Sequence, residues 1–446
     1  MHEHVLHSKR DGLIVCSAIV LSNFRALSFI PRFPDPSVLL GSAWIEIALW
    51  LGTALAVAHT LTRENLLPRY LSRCRRNWPL GVFVALGLVS AAWSLDPVAT
   101  AFRSLELLFA TVVGSYIGTR YRPNQMLEVL FWAGAIFLIL CIAIVFGLPT
   151  EGQMHSRPEY RSWRGVYWHK NHLGSIAALI NVVSLCRVLI AFEQRAADWL
   201  GSVFYLLSLA VVYFSYSVTG GVVLIVLHVF VSCVWLWIKT SHRRRAWHYY
   251  VALGIAAFGA AWTVTNADRI FSIFNRSPTM SGRVDLWHYL LKEVVPQRLW
   301  WGHGFGAIWT VESFRVGAGE RVHWGKPAVI ADNGFLDILL HLGIVGLLIF
   351  LGVLIVASVR SLRHGLAGRT LTDFFPLLLV FYAVVGNLAF SLFMETEIFV
   401  WLLIVIVLFE TTRRSHPAEL GAVEPKEHCL ASHESPMRLA DTSYDH

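Results

Sequence analysis

Three groups of residues in this chain of 446 have types and spacing that could carry chemistry. The first is Arg164-Gly165-Val166-Tyr167-Trp168-His169-Lys170-Asn171-His172, in which one Arg, one Lys, two His and one Asn fall within nine residues. So dense a set of donors suits a phosphate or a sugar, although Trp, Tyr and cations also form belts at membrane interfaces. The second is Ser281-Gly282-Arg283, followed by Val284, Asp285, Leu286 and Trp287. Ser281 is expected to cap the helix that Leu286, Leu290 and Leu291 outline, with Arg283 in its first turn. A helix N-terminus attracts anions, and a guanidinium grips phosphate through two bonds. The competing reading is an ordinary surface Arg. The third group is Ala331-Asp332-Asn333-Gly334-Phe335-Leu336-Asp337, leading to Gly343 and Gly346. There Asp332 could cap a helix, and the glycines could let a neighbouring helix approach closely.

The elements that position these residues are membrane spans. The chain is 56% hydrophobic and only 15% charged, against about 25% charged in soluble domains. Twelve apolar stretches are long enough to expect spans, at about 13–30, 39–61, 79–95, 100–118, 126–147, 172–192, 199–215, 219–238, 248–265, 333–358, 374–393 and 397–411. The fold class expected is all-α: a polytopic membrane protein with one membrane domain over residues 1–411. A polar loop at about 266–332 and a polar, disordered tail at 412–446 complete it. Within the loop, Pro296 is expected to end the first helix, and Trp300 to Gly306 reads as a tight glycine-rich turn. Trp300, Trp301, Phe305, Trp309, Phe314 and Trp324 suit either the stacking of sugars or the membrane interface.

Cations set the expected orientation. Arg63, Arg69, Arg73, Arg75 and Arg76 share one set of alternate loops with Arg120, Arg122, Lys239, Arg243 to Arg245, Arg360, Arg363, Arg369, Arg413 and Arg414. That set and both termini are expected in the cytoplasm, leaving 148–171 and 266–332 outside. The net charge of +8 is largely this bias and suits anionic lipids rather than nucleic acid. Of six cysteines none falls in an exported loop, so neither a disulfide framework nor a zinc site is expected. Within the spans, Glu46, Arg103 and Glu106 are costly charges, Arg103 and Glu106 spaced to pair with each other; His228 and His341 read as core histidines.

In their order these groups resemble the O-antigen ligase and Wzy-polymerase superfamily, and within it the exopolysaccharide-polymerase branch typified by ExoQ. The matching residues are Trp163-Arg164-Gly165, His169 to Gly174, Ser215 to Thr219, Ser281 to Arg283 with Trp287, Gly302 to Gly306 with Trp309, and Asp332 to Asp337 with Gly343 and Gly346. The resemblance implies a metal-independent, cofactor-free, inverting glycosyltransferase of the type-C kind in a bacterial inner membrane. Its donor would be an oligosaccharide on undecaprenyl diphosphate, and its partners membrane lipids, a chain-length regulator and export machinery. Arg164 and Arg283 then match the diphosphate-binding arginines, with Lys170, His169, Asn171 and Asn333 as further substrate contacts. Ligases carry a His directly before the Asn of the third group, where this chain has Asp332. A carboxylate is the weaker base, about 3.9 in unperturbed pKa against about 6.5 for His. The proton then falls to Asp332, His303 or His323. The substitution counts against a lipid A-core ligase and leaves a polymerase first, a ligase on another acceptor second, and a transporter or flippase third.

Overall fold

A computed structural model describes residues 9–22, 36–155, 161–240, 282–323, 327–393 and 398–413. Among these the chain is helical, apart from a single bridge between Gln153 and Trp163. In chain order the helices are α1 (Lys9–Ser22), α2 (Pro36–Arg63), α3 (Leu67–Arg76), α4 (Trp78–Val89), α5 (Pro97–Arg120), α6 (Pro123–Gly147), α7 (Pro149–Gly152) and α8 (Lys170–Glu193). They continue with α9 (Trp199–Phe214), α10 (Val218–Thr240), α11 (Arg283–Tyr289), α12 (Glu312–Arg321), α13 (Gly334–Gly368), α14 (Leu371–Ala389) and α15 (Phe399–Arg413). Seven of the described helices are long and apolar enough to cross a membrane, and four more are apolar but shorter. The protein is a multi-pass membrane protein. The stretch expected at 248–265 lies outside the described residues, as do the second half of the first one, the tail from Arg414, and Ser281 and Trp324.

The helices meet through small residues, as apolar helices do when lipid removes any hydrophobic drive between them. Gly114 and Gly118 of α5 lie against α15, where a Cβ on Gly118 would sit 2.3 Å from the Ile406 carbonyl oxygen. Gly174 of α8 and Gly220 of α10 touch in the same way, a Cβ on Gly220 falling 2.7 Å from Gly174 Cα.

The bundle has two chemically different ends. At one, Arg120 pairs with Asp11 at 3.3 Å and Glu64 at 2.8 Å, and Arg360 donates to Asn77 Oδ1 at 2.6 Å and Thr412 Oγ1 at 2.9 Å. Arg187 joins this end, bridging Glu128 and Asp198. At the other, Asp96 caps α5 and accepts from Thr310 Oγ1 at 2.8 Å, while Leu95 N–H donates to the His303 carbonyl at 3.0 Å. The basic loops therefore gather at one end and the three candidate groups at the other.

Part of the basic loop after α2, Leu67–Arg76, is itself a helix, with Tyr70 bonded to Ser115 Oγ. Several local expectations are corrected. Gly282, at φ 85°, occupies the N-cap position of α11, which has no side-chain cap among the described residues. Pro296 does not stop the run that follows. The α-helix widens into a π turn at Leu290–Val294 and then tightens to a 3-10 turn at Val295–Arg298, so no α-helical bond is asked of the proline nitrogen. Asn333, not Asp332, caps α13, accepting from Phe335 and Leu336 N–H at 3.1 Å each.

Helix α13 holds the largest departure. Its expected span ends at 358; the helix runs on to Gly368 and is broken at Gly343, at φ 65° and ψ −168°. The break strips helical partners from the carbonyls of Leu340 and His341 and from the amides of Ile344 and Val345. Inside an apolar helix each such group is costly unless met. The glycine-rich turn meets all four. His303 and Gly304 N–H donate to Leu340 and His341 at 2.9 and 3.0 Å, and Ile344 and Val345 N–H donate to Leu299 and Trp300 at 2.8 and 3.4 Å. The turn is possible because Gly302, Gly304 and Gly306 all take positive φ. Gly343 therefore opens the helix to a loop, rather than admitting a neighbouring helix.

The loop has an apolar core of its own. Leu286, Leu290, Val294, Ile308 and Ala318 pack with Leu336 and Leu340 of α13, screened by Trp287, Trp309 and Phe314. The loop is thus anchored to the first turns of α13, where the third candidate group begins.

Candidate active site

The second and third groups come together. Arg283 opens α11 and reaches Asp332 with two donors along one edge of its guanidinium, Nε to Oδ2 at 3.0 Å and Nη2 to Oδ1 at 3.2 Å. The pair is 15% and 16% exposed, open enough for a ligand to reach and shielded enough for the charges to matter. Because α11 is only seven residues long, the anion affinity rests on the guanidinium itself more than on a helix dipole.

The backbone beneath Asp332 is held from both sides. Ala331 N–H donates to Asp337 Oδ1 at 3.3 Å, and Trp287 Nε1 donates to the Ala331 carbonyl at 2.7 Å. Asp332 itself stands at φ 55°, a left-handed backbone that Asp adopts more readily than most residues. Asn333 spends its side-chain oxygen on capping α13, and its amide nitrogen donates to the Leu388 carbonyl at 3.5 Å.

The first group forms a second cationic surface. Arg164 donates to Glu151 Oε2 at 3.4 Å and to the Trp168 carbonyl at 3.5 Å. Burial pulls its pKa below the ordinary arginine value and Glu151 partly restores it, so it remains a cation at neutral pH. His169 caps α8, its Nδ1 accepting from Asn171 N–H at 3.2 Å. Asn171 Oδ1 accepts from Ser217 Oγ at 3.0 Å, tying this group to the Ser215 to Thr219 motif. Lys170 is 3% exposed.

The turn after α14 touches both clusters. Phe390 stacks on His169 at 6.3 Å and meets His172 edge-on at 5.3 Å between ring centroids. Asn387, in the last turn of α14, holds that turn, its Oδ1 accepting from Leu392 and Phe393 N–H, and it lies where a Cβ on Gly334 would fall. Sequence reasoning missed this turn. Its one signal is the pair of polar residues Asn387 and Ser391 at the end of an apolar span.

The two remaining histidines are apart from the ion pair. His303 is buried in the break of α13, its ring donating from Nδ1 to the Leu340 carbonyl at 3.0 Å. Burial lowers its pKa, the Leu340 bond opposes that, and the charge of Arg298 adds to it. His323 is exposed just past α12, at φ 56°. His228 is half-buried rather than in the core, and it is bonded to Tyr205 and Leu224. His341 is 1% exposed, with neither ring nitrogen bonded among the described residues.

The family model described as O-antigen ligase matches residues 203–351. Over these residues the chain is similar to the O-antigen ligase/Wzy superfamily. Members of that superfamily are glycosyltransferase-like enzymes, ligases and polymerases, that act on polyprenyl-linked glycans in the membrane. The matched stretch of the O-antigen ligase model takes in Arg283, the glycine-rich turn, Asp332 and the break of α13, and it begins after the Arg164 to His172 group. No curated protein matches the chain.

Proposed function

We propose that the chain is a polysaccharide polymerase of the exopolysaccharide, ExoQ-like branch. It transfers an oligosaccharide from undecaprenyl diphosphate to a sugar hydroxyl at the outer face of a bacterial inner membrane, with both termini in the cytoplasm. The observation that carries this reading is the two-point Arg283–Asp332 pair, set within the family-matched stretch at the end of the bundle away from the basic loops.

The acceptor oxygen attacks the anomeric carbon from the face opposite the diphosphate. The new C–O bond forms as the bond to the leaving diphosphate oxygen breaks, inverting the carbon, and the hydroxyl proton passes to a base. Arg283 balances the charge that grows on the diphosphate, with Arg164 and Lys170 as further cations. In the free protein Asp332 is the counter-ion of Arg283. A diphosphate competes for the same guanidinium, so donor binding releases the carboxylate, and a carboxylate without its cation takes a proton more readily. Asp332 is the base in this reading. His303, whose ring is committed to Leu340, and exposed His323 are less well placed. His169, Asn171 and Asn333 line the donor side. A ligase on another acceptor is the second reading, favoured by the description of the matching family.

The test compares cells carrying the wild type, no protein, or Arg283→Ala. Loss of long polymer, with single repeat units accumulating on the carrier at the outer face, is the expected result. Units trapped at the inner face would overturn the enzyme reading in favour of a flippase. Long polymer persisting on its carrier would assign a ligase.

A further inference from the structure

Asp337 takes no part in the chemistry above, yet it is a carboxylate 1% exposed in the first turn of an apolar helix. A buried carboxyl group is a costly acceptor where an apolar side chain would fill the space. Its Oδ1 accepts from two groups, Trp309 Nε1 at 2.7 Å and Ala331 N–H at 3.3 Å, and Ser391 lies beside the carboxylate. It therefore ties together the loop around Trp309, the turn after α14 and the residue directly before Asp332. The Ala331 carbonyl, on the far side of the same residue, is held by Trp287 Nε1 at 2.7 Å. Beyond Asp332, Asn333 is fixed by its capping bonds.

With both polar groups of Ala331 and the capping side chain of Asn333 engaged, the Asp332 backbone has little freedom between them. Its positive φ is the outcome, and that backbone aims the carboxylate at Arg283. We propose that Asp337, acting through Ala331 together with Trp287, is a positioning residue that sets the direction of the Asp332 carboxylate toward the acceptor hydroxyl. The inference rests on the reading of Asp332 and Arg283 as the reaction centre. Asp337 touches neither substrate. It fixes the geometry in which the proton is removed, and it reaches Arg283 only through Asp332.

The experiment uses the full-length protein in lipid nanodiscs, with a lipid-linked oligosaccharide as donor and initial rates measured against donor concentration. Misplacing a reacting group by about 1 Å costs on the order of a hundredfold, so Asp337→Ala should lower kcat by about that factor. Donor KM should change far less than kcat and should not rise, because the cations that grip the diphosphate are intact and a displaced Asp332 competes less for Arg283. Asp337→Asn, which keeps an acceptor oxygen, should recover most of that loss. Trp287→Phe removes the opposing bond without disturbing the buried carboxylate, and it should lower kcat in the same sense, so it decides the matter even if Asp337→Ala fails to fold. Wild-type kcat in Trp287→Phe, or KM and kcat falling in proportion in Asp337→Ala, would overturn the proposal. If Arg283→Ala were fully active, the reading of the reaction centre itself would fail. An inactive Arg283→Ala beside a fully active Trp287→Phe would sink only the role given to Asp337.

Discussion

Opposite charges held at two points make Arg283 and Asp332 each other's ligand until a stronger anion arrives. On the proposed function a diphosphate is such an anion, and the exchange would link donor binding to release of the base. Another titratable group of the loop, His303, bears on stability. Its pKa is lowered in the folded protein, chiefly by burial, so the folded state favours the neutral ring. Its contribution is complete above the unfolded value of about 6.5 and is lost as pH falls from there through the lower folded value. Melting of the purified protein should therefore shift to lower temperature between pH 7.5 and pH 5.5. His303→Asn, whose amide can still donate to Leu340 but does not titrate, should shrink that shift. An unchanged shift in the variant would remove His303 as its source.

Among the elements, the break in α13 and the glycine-rich turn form one structure made of two distant segments. Each supplies the other's missing backbone bonds, and glycine is required on both sides of the contact. A Cβ on Gly343 would lie 2.3 Å from the Trp300 carbonyl, and one on Gly302 would lie 2.4 Å from that of His341. The backbone at Gly343 is open almost only to glycine, and another residue there is strained by on the order of 1–3 kcal/mol before any clash. Gly343→Ala and Gly302→Ala should each lower the yield and melting temperature of folded protein. Gly352→Ala, with nothing within 4 Å of its added carbon in the same helix, should not. Equal behaviour of all three would show that the inserted turn contributes little to stability.

For the whole molecule, the two ends differ: paired cations form a fixed frame at one, and the Arg283–Asp332 pair with its loop lies at the other. The orientation that this implies is open to labelling. A cysteine placed at Glu312, in α12 of the loop, should react with a membrane-impermeant thiol reagent in intact cells. One at Arg122, between α5 and α6, should react only after the inner membrane is opened. The reverse pattern would put the site in the cytoplasm and remove the polymerase reading, since lipid-linked units are joined outside.

Composition and hydropathy were enough to determine that the chain is helical and crosses the membrane many times, because lipid forces every backbone polar group into an internal bond. Charge bias sorted the loops into the two sets that the bundle separates. Arg283 and Asp332 were legible as candidates by residue type and motif. That they face each other, 49 positions apart, was decided by the loop core packing on α13. The tertiary structure alone gave the break at Gly343, the bonds on Ala331, and the turn at Phe390 that touches both clusters. Those features rest on backbone groups meeting across long stretches of sequence, and local spacing carries no record of a partner that distant.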